Sequence, residues 1–360
     1  MISKHQGKLP RGCELCSKGE KLVLFITGIC PRNCLYCPLS EKKKNKDVVY
    51  ANEVKLSEMK QLLNEVRSSG AKGAGITGGD PLSKINRTIF FIKELKKNFG
   101  KDFHIHLYTS LNLIDEKIVK LLQDSRLDEL RIHPDLERKD LWEKAKLVKG
   151  KFSEVGVEIP IFPGKEKEII EMINFFKTYV DFFNLNELEY ATLYEKEYSL
   201  KKWKTLENYE VSGSEKTALK IINHFKKQKL RIHYCSAEFK DKIQFTERIK
   251  LRAKNSAEKF DLITKDGTLL RGAIYLEESK PTFESERKKF SEKEKQKLHL
   301  LFSKLSNSFP KLDFKIDYQK FRILCNAEKI NDISKSFKNC AIVEEYPTQD
   351  HLEVFMEFLS

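Results

Sequence analysis

A regular alternation of short apolar runs with amphipathic stretches fills residues 21–230 and constrains the fold more than any other feature. The apolar runs predict six strands, at 22–28, 73–77, 103–110, 129–133, 157–162 and 182–188. Between them, apolar residues recur at intervals of three and four, which is typical of helices packed on a sheet. Such helical stretches cover 55–69, 87–98, 116–123, 137–148, 167–179 and 214–227. Six strand–helix units in about 210 residues predict a partial (βα)6 barrel rather than a complete eight-unit barrel.

The pattern changes after residue 230. A basic stretch is followed by a hairpin with a Lys-Asp-Gly turn, and then by charged helices that alternate with short strands. The expected fold class is therefore α/β, a partial barrel with a C-terminal α+β appendage. We expect an N-terminal segment at 1–20, the barrel at 21–235, a basic helix and hairpin at 236–280, and a small α+β domain at 281–360.

Composition favours a cytoplasmic protein without a membrane segment. The best apolar run, at 22–29, has only the length of a strand, and the N-terminus lacks the pattern of a signal peptide. The net charge of +14 is compatible with RNA or another acidic partner. However, the 67 Lys and Arg residues alternate with 53 Asp and Glu residues along most of the chain, which is typical of a solvated surface.

Five of the eight cysteines fall within the first 37 residues, which indicates a metal site rather than disulfides. Cys30, Cys34 and Cys37 directly follow the first predicted strand. Three thiolates can hold three irons of a [4Fe–4S] cluster and leave the fourth iron open. Structural zinc would require four closed ligands, and a ferredoxin cluster would require a fourth cysteine.

The Cys-x3-Cys-x2-Cys spacing, with Tyr36 before the last cysteine, resembles the radical S-adenosylmethionine (SAM) superfamily, and the likeness covers about residues 20–230. It implies a TIM-like barrel in which Cys30, Cys34 and Cys37 ligate the [4Fe–4S] cluster. It also implies that SAM binds the open iron and is cleaved to a 5′-deoxyadenosyl radical. Together with Cys13-x2-Cys16 and the HYCSAEFKD segment, the chain is similar to archaeal radical SAM proteins described as relatives of pyruvate formate-lyase activating enzyme.

A Gly-Gly-Asp-Pro segment ends the second predicted strand and resembles the family's GGE-P element, whose backbone contacts the methionyl ammonium. Here Asp80 replaces the commoner Glu, which keeps the charge and shortens its reach. Polar residues also end other predicted strands, where barrels place their active sites, although such residues can equally be satisfied rim positions. The expected SAM-binding residues are Gly78, Gly79, Asp80, Pro81, Thr109, Ser110 and Asn186.

Cys13 and Cys16 form half of a possible second metal site. His233 and Cys235 are the best candidates to complete it, for zinc or for an auxiliary iron–sulfur cluster. The alternative interpretation is a set of inert thiols packed as small apolar side chains.

The sequence thus predicts a radical SAM enzyme of unknown substrate, whose class (oxidoreductase, transferase or activase) stays open. RNA, a protein or a small molecule could be the substrate, and an electron donor such as ferredoxin or flavodoxin is expected. The alternatives are an RNA-modifying enzyme, a glycyl-radical-activating enzyme and an iron–sulfur electron carrier without catalytic activity. No catalytic residue that acts on the substrate is assigned.

Overall fold

The computed structural model describes residues 3–191, 203–206, 209–281 and 290–359. The chain forms two compact units, Met1–Arg248 and Ile249–Ser360.

A ten-stranded sheet forms the centre of the first unit. Its strands are β1 (Ser3–Gln6), β2 (Lys21–Phe25), β3 (Tyr50–Ala51), β4 (Val54–Lys55), β5 (Gly73–Thr77), β6 (His104–Ser110), β7 (Glu129–His133), β8 (Glu154–Ile161), β9 (Phe182–Glu187) and β10 (Ile232–Cys235). Seven neighbouring strands, β2-β5-β6-β7-β8-β9-β10, run parallel. β1 extends this sheet antiparallel to β10, and β3 and β4 extend it beyond β2.

The partial barrel is confirmed, and its seventh parallel strand is additional to the six predicted strands. β10 lies in the sequence RIHYCS. It has only four residues, two of them polar or sulfur-bearing at alternate positions, so it carries little apolar signal.

Helices connect the parallel strands and cover one face of the sheet. α1 (Arg11–Cys16) precedes the parallel strands and α7 (Thr246–Ser256) follows them. The connecting helices are α2 (Met59–Ser69), α3 (Ile85–Phe99), α4 (Glu116–Asp124), α5 (Glu166–Phe176) and α6 (Ser214–Phe225), with a 3-10 segment at Lys139–Leu147. Every second residue of the strands packs against these helices, as Leu107 does on β6 and Ile132 on β7. The intervening strand residues face the other way, and many of them are polar.

α1 packs on this polar face. The Gly12 amide donates to Glu129 Oε2 at 3.0 Å, and a Cβ at Gly12 would overlap the Arg131 and His106 side chains. Arg131 Nη2 also lies 3.5 Å from Cys13 Sγ. The N-terminal segment that was expected at 1–20 is therefore part of the barrel unit, because its helix buries the charged face of β6 and β7.

The second unit contains most of α7, an antiparallel sheet and two further helices. Its strands are β11 (Leu262–Ile263), β12 (Leu269–Tyr275), β13 (Lys315–Asp317), β14 (Arg322–Cys325), β15 (Cys340–Glu345) and β16 (Glu353–Phe358), and the further helices are α8 (Glu292–Ser308) and α9 (Ile330–Ser334). β12, from the predicted hairpin, pairs with both β14 and β15. Segments 236–280 and 281–360 were expected as separate domains. Here the hairpin strand is central to the sheet of the α+β appendage, and the unit begins at Ile249.

Among the described helices, none combines the length and the apolar character needed to cross a lipid bilayer.

Candidate active site

Cys30, Cys34 and Cys37 lie on the loop after β2 and line one cavity of about 370 Å³. All three thiols are free. The opposite walls come from the carboxyl ends of β5, β6, β8 and β9, through residues such as Thr77, Tyr108, Pro160, Asn186 and Glu187. The sequence therefore places the cysteines at the edge of the sheet where barrel active sites form.

Two side chains within the cysteine loop fix its position. Arg32 donates to the His133 carbonyl oxygen at 2.9 Å and to Asp135 Oδ2 at 3.0 Å. The Tyr36 hydroxyl lies 2.9 Å from His133 Nε2, and His133 Nδ1 lies 2.8 Å from the Glu158 carbonyl oxygen. The loop is thus tied to the ends of β7 and β8 by contacts that do not involve the thiols.

The donor set of the cavity fits a cluster with one open iron. Among the described lining residues, His133 is the only histidine or cysteine besides the three loop cysteines, and both of its ring nitrogens are already bonded. Burial raises the pKa of Cys30 to about 11, while the Arg32 amide opposes this shift. Iron binding is the interaction that keeps such buried thiols ionised. Among the described lining residues, three thiolates without a fourth free His or Cys donor match the requirement for an open coordination position.

Gly78 and Gly79 line the same cavity, and close backbone contact explains why both are glycine. The Gly79 amide donates to the Thr27 carbonyl at 2.7 Å, and the Asp80 amide donates to the Ile29 carbonyl at 2.9 Å. A Cβ at Gly78 would overlap the Thr27 oxygen, and one at Gly79 would overlap the Ile29 oxygen. The glycines therefore join the end of β5 to the start of the cysteine loop.

The Asp80 carboxylate is buried and accepts four hydrogen bonds. Oδ1 accepts from the Leu82 amide at 3.0 Å and from Thr109 Oγ1 at 2.8 Å. Oδ2 accepts from the amide and the hydroxyl of Ser110, at 3.1 and 2.8 Å. Burial raises the pKa of Asp80, and these donors oppose the shift. Asp80, Thr109 and Ser110 thus bond one another across β5 and β6, and Asp80 acts as a brace between them. Pro81 is buried in the turn that follows and lies outside the cavity lining.

Asn186, on β9, takes part in a chain of buried polar contacts that the sequence analysis missed. Its amide nitrogen donates to Glu158 Oε1 at 2.9 Å, and Arg131 Nη1 donates to Glu158 Oε2 at 2.7 Å. Arg131 Nε also donates to Glu129 Oε1 at 2.5 Å, and Nη1 donates to the Tyr108 hydroxyl at 3.2 Å. The sequence does carry a signal for these buried polar residues, because they alternate with aliphatic residues along their strands.

Lys240 was also missed. In the sequence it belongs to the basic stretch after residue 230, whereas in the structure it lines the cavity, with Nζ 2.5 Å from Glu189 Oε1. Lys240 begins a π-helical turn, Lys240–Phe245, a feature that often marks functional sites. Glu187, at the end of β9, accepts from the Ala237 amide just before this turn.

The four residues of the expected second metal site lie in the barrel unit, and no three of them bring their donor atoms within 4.8 Å of one another, as a single ion would require. Cys30, Cys34 and Cys37 do not meet this single-ion distance either. Cys13 contacts Arg131, and His233 Nε2 lies 3.0 Å from Ser3 Oγ. The charge of Cys16 contributes to the raised pKa of Cys235, although burial is the main cause. Within the described ranges, the only His, Cys, Asp or Glu group with three donor atoms within 4.8 Å of one another is His104, His106 and Glu129. A site at Cys13, Cys16, His233 and Cys235 stays a prediction.

Comparisons with known proteins agree with this geometry. A sequence profile of the radical SAM superfamily matches residues 24–176. A Methanocaldococcus jannaschii protein, provisionally named a glycyl-radical enzyme activating enzyme, is 46% identical over 286 residues, which cover 76% of this chain and 75% of that protein.

Two solved structures are also similar. The radical SAM methyltransferase TsrM from Kitasatospora setae has 14% identity and a TM-score of 0.36, over 52% of this chain and 40% of its own. Coproporphyrinogen III oxidase HemN from Escherichia coli has 11% identity and a TM-score of 0.35, over 62% and 57%. This chain spans less than two thirds of either one.

The partial barrel and the three-cysteine loop fit an iron–sulfur enzyme whose cluster has one iron without a protein ligand. The chain belongs to the radical SAM superfamily. It is therefore a radical SAM enzyme that uses a [4Fe–4S] cluster and SAM, and it cleaves SAM reductively to generate a 5′-deoxyadenosyl radical.

Proposed function

We propose that this chain activates a partner protein by removing a hydrogen atom from a backbone glycine. In this proposal Cys30, Cys34 and Cys37 hold the cluster. The main support is that all three line one cavity, and that the described lining residues include no further free His or Cys donor. The provisional name of the M. jannaschii relative supports a glycine in a protein as the hydrogen donor.

The size of the cavity is compatible with this substrate. A volume of about 370 Å³ lies at the small end of the range for ligand pockets, so the cluster and SAM would leave little room for a bulky substrate. A glycine in an extended peptide adds little volume, because it has no side chain. The Glu189–Lys240 ion pair lines this cavity and would lie beside the bound peptide.

The residues that would hold SAM divide into two groups in this proposal. Gly78, Gly79 and Asn186 border the cavity and contact SAM. Asp80, Thr109 and Ser110 keep the Gly-Gly turn in place through their mutual hydrogen bonds. We also place the reaction in the cytoplasm, because all eight cysteines are free and a reducing compartment keeps them so.

The first test is SAM cleavage by the anaerobically reconstituted full chain with excess dithionite. The wild-type protein should form 5′-deoxyadenosine, and Cys34→Ala should form none and should bind less iron. Cys325→Ala is the matched control, because Cys325 is buried in the second unit. A wild-type protein that has a complete cluster but yields no 5′-deoxyadenosine would contradict the cluster assignment.

The second test concerns the substrate. A candidate glycyl-radical protein from the same organism, deuterated at glycine, should transfer deuterium to 5′-deoxyadenosine. The same protein with ordinary glycine should develop a glycyl-radical doublet in its electron paramagnetic resonance spectrum. Replacing the reacting glycine of the partner with alanine should remove both signals. Deuterium transfer from labelled RNA or from a small molecule, with none from protein, would exclude the activase.

A further inference from the structure

The segment from Glu41 to Asp47 joins the cysteine loop to β3 and carries four lysines, at positions 42, 43, 44 and 46. We call residues 41–47 the lysine loop. It comes four residues after the last cluster cysteine, and Lys44 lines the same cavity as Cys30, Cys34 and Cys37. Lys44 Nζ also donates to Asn33 Oδ1 at 3.2 Å, and Asn33 lies within the cysteine loop.

Backbone contacts hold the lysine loop against the end of β2. The Gly28 amide donates to the Lys46 carbonyl at 2.8 Å, and the Asn45 amide donates to the Gly28 carbonyl at 3.0 Å. A Cβ at Gly28 would overlap the Lys43 carbonyl oxygen, so only glycine permits this approach. The loop is therefore fixed beside the cysteines instead of extending freely into solvent.

The side chains of the loop divide into anchored and unpaired charges. Asp47 pairs with Arg87 and with Lys84, at 2.5 and 3.0 Å. Lys43 Nζ lies 4.5 Å from the centre of the Tyr50 ring. Lys42 and Lys46 are exposed, and neither has an acidic partner among the described residues.

The charge around the cysteine loop is accordingly positive. The lysine loop and the two cations that pair with its Asp47 contribute six positive charges against the carboxylates of Glu41 and Asp47. The cations are Lys42, Lys43, Lys44, Lys46, Lys84 and Arg87. A surface of one sign beside a redox centre attracts a partner of the opposite sign, steers its approach, and suits the small, transient interfaces of electron-transfer complexes.

We propose that the lysine loop, with Lys84 and Arg87, is the docking surface for an acidic one-electron carrier protein that reduces the cluster. The carrier loses one electron and the cluster gains it, and the docking step breaks no bond. The inference rests on the proposed placement of the cluster at Cys30, Cys34 and Cys37. An RNA partner suits the patch less well, because Lys43 covers the Tyr50 ring that a base would need for stacking.

The test compares two charge-reversal pairs in the full-length reconstituted protein. Lys42→Glu with Lys46→Glu alters the patch. Lys226→Glu with Lys227→Glu makes the same change in net charge at exposed positions that follow α6, at the opposite end of the parallel strands. The second-order rate constant for cluster reduction by a purified, reduced, acidic ferredoxin is measured by stopped flow at several salt concentrations. The yield of 5′-deoxyadenosine with excess dithionite is measured in parallel.

The patch variant should be reduced at least about tenfold more slowly at low salt, which lies within the range of electrostatic steering, and its rate should depend less on salt than that of the wild type. Both variants should match the wild-type yield with dithionite, and the control pair should match the wild-type rate with ferredoxin. If the reversed variant loses iron, Lys42→Gln with Lys46→Gln replaces it, and a flatter salt dependence remains the expected result.

Equal ferredoxin rates and salt dependence in the wild type and the iron-replete patch variant would overturn the inference. So would an equal slowing by the control pair, because the effect would then come from net charge alone. Salt-sensitive RNA binding that is lost in the patch variant, without a change in reduction rate, would assign the surface to nucleic acid instead. A wild-type protein that cannot cleave SAM even with dithionite would refute the cluster placement and not the docking surface specifically.

Discussion

Asp80→Asn tests whether the carboxylate at the end of β5 is a brace or a direct SAM ligand. Each carboxylate oxygen accepts one main-chain amide, from Leu82 at Oδ1 and from Ser110 at Oδ2. Either orientation of an asparagine amide therefore turns its NH2 group toward a main-chain N–H. One buried donor loses its acceptor at a cost of about 1–3 kcal/mol, and the remaining hydrogen bonds are no longer charge-assisted.

We expect a total loss of about 3 kcal/mol in the free energy of unfolding, and a fall in Tm of about 6–12 °C for a unit of this size. SAM affinity should fall as well, because the Gly-Gly turn loses its tie to β6. Thermal unfolding under anaerobic conditions and equilibrium dialysis of SAM measure the two effects.

Ser110→Ala and Thr109→Val provide the controls, because each removes one donor and keeps the carboxylate. Each should cost about 1–2 kcal/mol. Combined with Asp80→Asn, the losses should be less than additive, since the partners share one network. If Asp80→Asn unfolds like the wild type but no longer binds SAM, the side chain contacts SAM directly and the brace is refuted.

Three further predictions follow from the buried contacts. Arg131→Met leaves Glu129 and Glu158 buried without their cation and should cost about 3–5 kcal/mol in urea denaturation. The exposed Lys120–Asp124 pair serves as control, because Lys120→Ala should cost less than about 1 kcal/mol. Burial raises the pKa of Glu129, but the Arg131 charge and the His104 contact outweigh burial and lower it to about 2. The contribution of Glu129 to the free energy of unfolding is therefore complete above pH 4.5. As the pH falls toward 2, up to about 3 kcal/mol of it is lost, and Glu129→Gln should lose less stability over that range. Gly79→Ala should displace Ile29 and lower the iron content after reconstitution. Gly150→Ala has open space around it but a positive φ, so it should lower the stability by about 1 kcal/mol and keep full iron content.

The sequence predicted the features that depend on local pattern. The apolar runs located six parallel strands, and the cysteine spacing identified the superfamily. β10 was missed because Ile-His-Tyr-Cys is short and half polar, and its neighbour β9 lies more than 40 residues earlier in the chain. The role of Asp80 was not predictable either, since Thr109 and Ser110 become its partners only when β5 and β6 lie side by side.

Lys240 shows a further limit of sequence reasoning. Its charge has the same sign as that of neighbouring exposed lysines, so composition cannot separate it from a solvated helix. Its position in the cavity and its contact with Glu189 are evident only from the structure.

The buried charges beneath the cavity give the floor of the site a defined geometry. Arg131 is almost fully buried and holds Glu158 through Oε2, so Oε1 is left to orient the Asn186 amide. A buried charge pair contributes little net stability compared with an apolar pair of the same size. Its better-attested benefit is geometric, since both oxygens of Glu158 are fixed by partners on different strands. An enzyme that generates a radical gains from such a floor, because a fixed distance between the radical and the target hydrogen lowers the barrier to the intended reaction and not to competing ones.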